Sequence, residues 1–357
     1  MKPIDQNVSD KIRILSFYSI FMVVVCHAYN LTSLSIETNR EIVYYIEYLF
    51  ALELSNIFIP MFFFISGFLF FKNHDLSVFT FKRKIKNRFK TLVIPYFLWC
   101  GLWFLIVFVI QLIPMLSDFF EKRLLDMPLW KQIWLAFVDP INYTFWFIRE
   151  LIFYVLMTPL IYLGIKYLKI YFLIFLCALL FLEQPSLLYV NNVNLFQYLG
   201  LFSFTCGAYT SIAKLNIISN FKTSTHLLSI VVWAILIFFN FYVRETYEET
   251  HLIHIVCKRI TMFVGFFTVW TMYDFINRKY ELTNKALYGY RFFIYAAHGV
   301  ALTYFTKVYV KLIGENDVVL LILFFVSSIL ATLICVAFAK LLQKKTPKIY
   351  SLLTGSR

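Results

Sequence analysis

The sequence contains few charged residues and lacks the cysteine spacing that marks a metal or disulfide site. Asp, Glu, Lys and Arg make up only 15% of its 357 residues and 61% are hydrophobic, whereas soluble domains are typically about 45–50% apolar. The six cysteines lie in different apolar runs without a C-x-x-C pair, so they predict neither a metal centre nor a disulfide framework. The first apolar run ends in Val24-Val25-Cys26-His27, without the small residues of a signal-peptidase site. We therefore expect no separate soluble domain and no cleaved signal in this run.

Long apolar runs recur from one end of the chain to the other. A helix needs about 20 apolar residues to cross the hydrocarbon core of a bilayer. Strands of a membrane barrel alternate in polarity and these runs do not, so the pattern predicts helices. The ten predicted spans are residues 12–30, 49–71, 91–114, 145–164, 167–183, 195–213, 225–243, 252–277, 287–310 and 318–340. We expect an all-α, polytopic membrane protein with about ten transmembrane helices, forming one domain over residues 1–357.

Lysine and arginine are unevenly distributed among the segments between these spans. If the N-terminus is cytoplasmic, 22 of the 33 basic residues lie on the cytoplasmic side and 6 on the outer side. Cytoplasmic loops of membrane proteins carry such an excess, so both termini are predicted to be cytoplasmic. The net charge of +13 then faces anionic lipid and does not imply nucleic acid.

The most informative single residue is His27, which ends the first apolar run. An ionisable side chain inside a membrane is energetically costly and suggests function by default. Helix direction places Glu53 and the pair Arg149 and Glu150 at a similar outer depth, where a carboxylate could orient the imidazole for general base catalysis. The alternative is that these charges are interhelical ion pairs or interfacial residues, and depth alone does not separate the two.

Ser66 and Gly67 end a phenylalanine-rich stretch near the cytoplasmic end of the second span. The glycine permits close backbone approach, and the serine can form a hydrogen bond to a neighbouring helix. A small-residue packing notch is the simpler explanation on physical grounds. A path for a ligand is the functional alternative.

A basic loop over residues 82–90 precedes the third span, which starts near Pro95 and Tyr96. Its cations, Lys86 and Arg88 among them, suit an anionic ligand with several phosphates. Anchoring on anionic lipid also explains Lys82 to Lys84. It explains Arg88, at the helix entry, less well.

Histidines later in the chain give a weaker signal. His298 lies near the middle of a predicted span, with Arg291 two helical turns earlier on a similar face. A structural hydrogen bond and catalysis are equally compatible with this position. His251 and His254 have an i, i+3 spacing, but no acidic third ligand stands at a known spacing, so no metal is expected.

In five places, ordered along nearly the whole chain, the sequence resembles the acyltransferase family 3 membrane proteins. These are bacterial enzymes that move acyl groups, often acetyl, onto surface sugars. The matching elements are Val23–His27, Phe62–Phe68, Lys86–Tyr96, Trp146–Leu151 and Tyr295–His298. Each element is weak alone, and the ordered set is specific. One departure concerns the arginine that usually precedes the first histidine of the family. Ser16 stands at that position here, and Arg13 lies one turn earlier on the same face, from which it could substitute.

The resemblance implies an O-acyltransferase, with acetyl transfer favoured, that takes its acyl group from cytoplasmic acyl-CoA. The residues expected on the donor side are Arg88, Lys86, Ser66, Gly67 and Tyr96. On the outer side, His27 would act on the acceptor hydroxyl, Glu150 or Glu53 would orient it, and Arg149 would stabilise an oxyanion. The residues expected to bind substrate or to support the site are Trp146, His298, Arg291, Arg13 and Ser16.

The same resemblance implies a bacterial cytoplasmic (inner) membrane and a saccharide acceptor such as capsule, exopolysaccharide or O-antigen. A homo-oligomer or a separate glycan-assembly partner would also be compatible, and the sequence does not choose between acetyl and succinyl donors. Two other functions fit ten spans with internal charges. One is an exporter of polysaccharide or lipid-linked sugar, and the other is a sensor or scaffold whose charges are structural.

Overall fold

Helices make up nearly all regular structure in the described part of the chain. The computed structural model describes residues 6–29, 41–73, 77–114, 120, 123–181, 186–190, 193–248, 251–280, 282, 286–314 and 316–356. Its α-helices are α1 Gln6–His27, α2 Glu41–Tyr48, α3 Phe58–Phe71, α4 Val78–Arg88, α5 Ile94–Gln111, α6 Leu129–Phe137, α7 Trp146–Leu156, α8 Thr158–Leu168, α9 Ile170–Leu179, α10 Tyr198–Ile212, α11 Thr223–Thr246, α12 Leu252–Tyr280, α13 Arg291–Ile313, α14 Asp317–Lys345 and α15 Pro347–Thr354. Most of the outer loop predicted between the first two spans, residues 30–40, lies outside the described residues.

Five continuous helical segments in these ranges are long and apolar enough to cross a membrane. They are Glu41–Phe71, Val78–Gln111, Thr223–Thr246, Leu252–Tyr280 and Asp317–Lys345. A sixth span is possible if the segment Tyr143–Leu156 and α8 count as one, although they meet at an angle of 59°. The protein is therefore an all-α membrane protein in which fewer helices meet this criterion than the ten apolar runs predicted.

Local breaks in the backbone account for part of that difference. Pro159 at the start of α8 lacks an N–H group and cannot continue the preceding helix. Lys169 has φ of +51°, a value that L residues rarely adopt, and it ends α8 before the short helix α9 begins. Two π-helical turns, Leu49–Glu53 and Phe89–Val93, instead join neighbouring helices into long continuous spans.

A β-hairpin is the only sheet within the described ranges. Strands β1 Ser186–Val190 and β2 Val193–Gln197 pair antiparallel, with Val190 opposite Val193. The predicted span 195–213 therefore begins as a strand and becomes helical only at Tyr198.

The closest helix crossing joins α3 to α10 and is built on two glycines. A Cβ atom added to Gly67 would collide with the backbone carbonyl of Phe204, and one added to Gly207 would collide with that of Phe64. Small residues allow such close backbone approach between membrane helices. Gly67 thus packs at this crossing, and its place on a ligand path stays a prediction.

The first turns of α1 are fixed by a fully buried ion pair. Lys11 Nζ lies 2.6 Å from Asp274 Oδ2 in α12 and donates a 2.8 Å hydrogen bond to the carbonyl of Ile217. The backbone N–H and the hydroxyl of Ser219 donate to the same carboxylate oxygen, each at 2.8 Å. Buried charges are tolerated when they are paired and hydrogen-bonded in this way. The pair sets the position of the helix that carries Arg13, Ser16 and His27.

The end of the chain folds back onto this framework. Helix α15 follows α14 directly, and the indole N–H of Trp99 in α5 donates to the carbonyl of Leu353 at 3.0 Å. The ring of Tyr350 stacks near Phe293, with centroids 6.2 Å apart. These contacts place α15 beside the start of α13.

Candidate functional site

One elongated cavity of about 780 Å³ is lined by seven of the fourteen candidate site residues singled out from the sequence. One wall is a stripe along α1, in which Ile12, Arg13, Ser16, Ile20, Val23, Cys26 and His27 all line the cavity. This spacing is that of one helical face. The cavity therefore follows α1 from Arg13 to His27, which is about 21 Å by helical rise.

The opposite wall is a matching stripe on α3 and the turn before it. Ser19 in α1 lies against Met61 in α3, with Oγ and Sδ 3.6 Å apart, and α1 also contacts the π-helical turn Leu49–Glu53. Ser55, Asn56, Ser66 and Leu69 line the cavity from this side.

The Arg13 end of the cavity is cationic. Arg13, Arg88 and Arg291 all line it, from α1, α4 and α13. The Nε atom of Arg13 is buried and has no hydrogen-bond partner among the described residues. Three guanidinium groups with unused donors suit a ligand that carries several phosphates. We call this the arginine mouth, and it also contains Tyr290, Gln343 and Tyr350.

Residues of the arginine mouth come from distant parts of the chain and are held in place by short contacts. The hydroxyl of Tyr290 donates to Gln343 Oε1 at 2.9 Å. A guanidinium nitrogen of Arg291 donates to the carbonyl of Tyr288 at 2.9 Å. Gly289 lies beside Arg13, since a Cβ added there would be 3.8 Å from Nη2 of Arg13, an ordinary van der Waals distance. Sequence analysis did not single out Tyr290, Gln343 or Tyr350, and no motif marks them.

The His27 end of the cavity is polar, and apart from the arginines of the mouth, no charged side chain occurs among the described lining residues. Ser55, Asn56, Thr144 and Trp146 line it together with Cys26. Between the two ends, the lining is apolar and includes Ile20, Val23, Ile59, Phe62 and Phe147. The cavity is thus a tunnel with cations at one end, an apolar middle and a histidine at the other.

Two rings hold the imidazole of His27. The ring of His298 stacks against it with centroids 5.4 Å apart and an interplanar angle of 24°. The ring of Tyr143 meets it edge-on at 4.8 Å. His298 is fully buried, and its Nδ1 lies 2.9 Å from the carbonyl of Ile294. The structure therefore brings together His27 and His298, which are 271 residues apart in sequence.

The two carboxylates expected beside His27 have other partners. Glu53 accepts a 2.6 Å hydrogen bond from Asn240, and Glu150 accepts one of the same length from the hydroxyl of Tyr154. Neither is among the described residues that line the cavity. Helix direction fixed their depth but not the face on which they lie. The structure thus gives each carboxylate a hydrogen-bond partner other than His27.

Three further predicted residues lie outside the cavity lining. Both terminal nitrogens of Arg149 donate to backbone carbonyls, those of Val138 and Asn194, and so tie α7 to neighbouring segments. Tyr96 donates to the carbonyl of Phe137 at 2.7 Å. Lys86 is exposed, in contrast to Arg88 two residues later. The structure thus gives Arg149 and Tyr96 backbone partners, and the roles predicted for these three residues stay predictions.

The remaining predicted residues meet in the tunnel or next to it. His27, Ser66, Arg88, Trp146, Arg291, Arg13 and Ser16 all line it, and His298 packs directly behind His27. Ser16 and Arg13 occupy successive turns of the same wall. Arg13 in the arginine mouth therefore lies one helical turn before Ser16, the position at which the family usually has an arginine. No group of three metal-ligating side chains occurs among the described residues.

An all-α membrane fold with a cavity that joins clustered arginines to a half-buried histidine defines a class of membrane-embedded proteins. The comparisons identify the class further. Residues 12–340 match the acyltransferase domain family, acyltransferase family 3, and the chain belongs to it. The succinoglycan biosynthesis protein ExoH of Rhizobium meliloti (strain 1021) is 24% identical over 366 residues, which cover 99% of this chain and 94% of that protein. No solved structure matches the chain.

Proposed function

We propose that this acyltransferase moves an acetyl group from acetyl-CoA to a hydroxyl of a cell-surface or lipid-linked saccharide. The observation that carries the proposal is the tunnel, because it joins a phosphate-binding end to a general base over about 21 Å of helical rise. A donor with a charged head and a long, flexible arm fits this shape. The acyl group would then reach His27 while the phosphates stay at the arginine mouth.

The arginine mouth is the proposed site for the phosphates of CoA. Guanidinium groups bind phosphates with two parallel hydrogen bonds, which gives them both affinity and orientation. Arg13, Arg88 and Arg291 converge from three helices, so a single phosphate-rich head could contact all of them. Tyr290 and Tyr350 offer aromatic surface beside them for the nucleoside.

His27 is the proposed general base. Its imidazole would take the proton of the acceptor hydroxyl while the oxygen attacks the thioester carbonyl carbon. A C–O bond forms, the C–S bond breaks, and the departing thiolate recovers the proton from His27. The cavity lining around this end includes Ser55, Asn56 and Thr144, and these side chains are the available hydrogen-bond donors for a developing oxyanion.

The uncharged lining at the His27 end supports acetyl as the transferred group. Among the described lining residues, the arginines lie at the opposite mouth, and no lysine or arginine lies beside His27. A succinyl group carries a carboxylate, and a buried carboxylate without a paired cation is costly. We therefore expect acetyl-CoA to be a better donor than succinyl-CoA.

The acceptor and the membrane arrangement also belong to this proposal. The relative named as a succinoglycan biosynthesis protein supports a saccharide acceptor. The excess of basic residues in alternate segments supports ten spans with both termini in the cytoplasm of a bacterial cell, within its cytoplasmic (inner) membrane. In that arrangement the arginine mouth faces the cytoplasmic donor, and His27 faces the acceptor. A homo-oligomer or a glycan-assembly partner is compatible with it.

Arg88 and Lys86 provide a matched test of donor binding, since they share a helix but only Arg88 lines the tunnel. Loss of a charge-assisted hydrogen bond costs about 1.5–3 kcal/mol, so Arg88→Gln should raise the KM for acetyl-CoA about tenfold or more. Lys86→Gln should leave it within about twofold. The measurement is acetyl transfer to an oligosaccharide by purified protein in detergent.

His27→Ala tests the chemical step in the same assay. Removal of a general base typically costs about 10²–10⁴ in rate, so transfer should fall by that factor in a variant that still inserts into the membrane. Full activity of His27→Ala would contradict the mechanism. Saccharide transport into vesicles without any acetyl transfer would instead support an exporter.

A further inference from the structure

We infer that His298 is the positioning residue for His27, in the role that sequence analysis gave to a carboxylate. The inference rests on the proposed function, in which His27 is the base. It starts from the stacked geometry of the two imidazoles, with centroids 5.4 Å apart. It also uses the fact that neither Asp nor Glu occurs among the described residues lining the tunnel.

The hydrogen bond of His298 fixes both its ring and its tautomer. The carbonyl oxygen of Ile294 can only accept, so Nδ1 of His298 carries the proton and donates at 2.9 Å. The Nε2 atom has no hydrogen-bond partner among the described residues. The ring is fully buried, and a buried charge without a paired partner is costly. The ring is therefore neutral, with a lone pair on Nε2, and it presents its face to His27.

The same turn of α13 also positions Tyr143, whose ring is the second one in contact with His27. Tyr295 donates to the carbonyl of Thr144 at 2.5 Å, and Asn142 donates to the carbonyl of Ala296 at 3.2 Å. These bonds fix the segment that carries Tyr143. Residues 294–298 therefore hold the His27 ring from two directions, through His298 directly and through Tyr143 indirectly.

A neutral ring face beside His27 has a chemical consequence. When His27 takes the proton from the acceptor hydroxyl, it becomes a cation, and a second imidazole that carried its own charge would repel it. A neutral His298 avoids that repulsion and holds the ring of His27 by stacking, without touching the substrate.

Three substitutions separate this role from simple packing. His298→Ala removes the ring, His298→Phe keeps an aromatic face without nitrogen atoms, and His226→Ala removes a buried histidine from α11, which does not line the tunnel. We expect His298→Ala to lower kcat about 100-fold with the KM for acetyl-CoA within twofold. His298→Phe should recover at least tenfold of that loss, and His226→Ala should keep the kcat of the unmodified protein.

A second measurement does not depend on activity. Diethyl pyrocarbonate modifies accessible neutral histidines, and peptide mass spectrometry reports the rate at His27. We expect His298→Ala to raise that rate severalfold, because His27 loses its stacking partner, whereas His298→Phe should restore the slow rate. Unchanged His27 modification in His298→Ala would overturn the inference, as would equal kcat values for the Ala and Phe variants. Absence of acetyl transfer by the unmodified protein would count against the proposed function alone, since the modification rates still test the stacking.

Discussion

At the scale of single residues, the tunnel gives one thiol a diagnostic position. Cys26 is the only cysteine among the described lining residues and lies next to His27, whereas Cys177 lies outside the tunnel. Bound donor should therefore slow the alkylation of Cys26 by N-ethylmaleimide and should not affect the alkylation of Cys177. At a donor concentration of ten times its Kd, simple mass action predicts up to about tenfold slower labelling.

Two single-cysteine variants make this measurement specific. One keeps Cys26 and the other keeps Cys177, and both are labelled with and without acetyl-CoA. We expect protection of Cys26 and none of Cys177, and CoA should protect as well as acetyl-CoA. Equal labelling of Cys26 in both conditions would show that the donor does not enter the tunnel as far as His27.

At the residue scale, the sequence predicted some of the residues that line the tunnel and missed others. His27, Arg88 and Ser66 were identified from their position in apolar or basic segments, and all three line the tunnel. Glu53 and Glu150 are not among the described lining residues, because helical rise predicts depth and says nothing about rotation. A π-helical turn that ends at Glu53 shifts the rotation further. The stacking of His298 on His27 depends on tertiary packing, which no local pattern records.

At the scale of helices, the crossing of α3 and α10 is the most sensitive contact to added volume. Gly67→Ala places a methyl group against the backbone carbonyl of Phe204, so one helix must move. Overpacking of this kind costs about 1–3 kcal/mol. We expect a clear fall in the melting temperature of the detergent-solubilised protein, measured by fluorescence-detected size exclusion. Gly101→Ala is the matched control, because the nearest atom to its Cβ is 4.0 Å away in Phe137. An equal effect of both substitutions would contradict the close crossing.

The ion pair between α1 and α12 leads to a prediction of coupling. Breaking a buried pair on one side leaves an uncompensated charge and costs about 3–5 kcal/mol. We expect Lys11→Met and Asp274→Asn each to destabilise the protein strongly. The double variant should lose less stability than the sum of the two single losses, and the difference should be about 0.5–3 kcal/mol. Unfolding in mixed micelles measures the three variants, with the exposed Lys82→Met as control. Additive losses would show that the pair does not act as a unit.

At the scale of the whole molecule, hydrophobicity predicted the class of protein better than it predicted where the helices begin and end. The apolar runs at 225–243, 252–277 and 318–340 correspond to long helices that meet the criterion for a span. The runs at 145–164 and 167–183 do not, because the bend at α8 and the positive φ of Lys169 divide them. Composition records how much apolar surface a segment has, whereas these breaks depend on single backbone positions.

The tunnel leads to a prediction about the two sides of the membrane. Because the arginine mouth and His27 lie at opposite ends of α1, donor and acceptor should act from opposite compartments. Proteoliposomes with the protein in one orientation, assigned by impermeant labelling of Lys86→Cys, can be loaded with oligosaccharide on the His27 side. Acetyl-CoA added on the Lys86 side should then acetylate the enclosed saccharide, since a ligand with several phosphates does not cross lipid unaided. Arg88→Gln in the same vesicles should slow the reaction at low donor concentration, and excess donor should restore it. If acetylation occurred only when donor and saccharide were in the same compartment, the tunnel would not connect the two sides of the membrane, and the prediction would be contradicted.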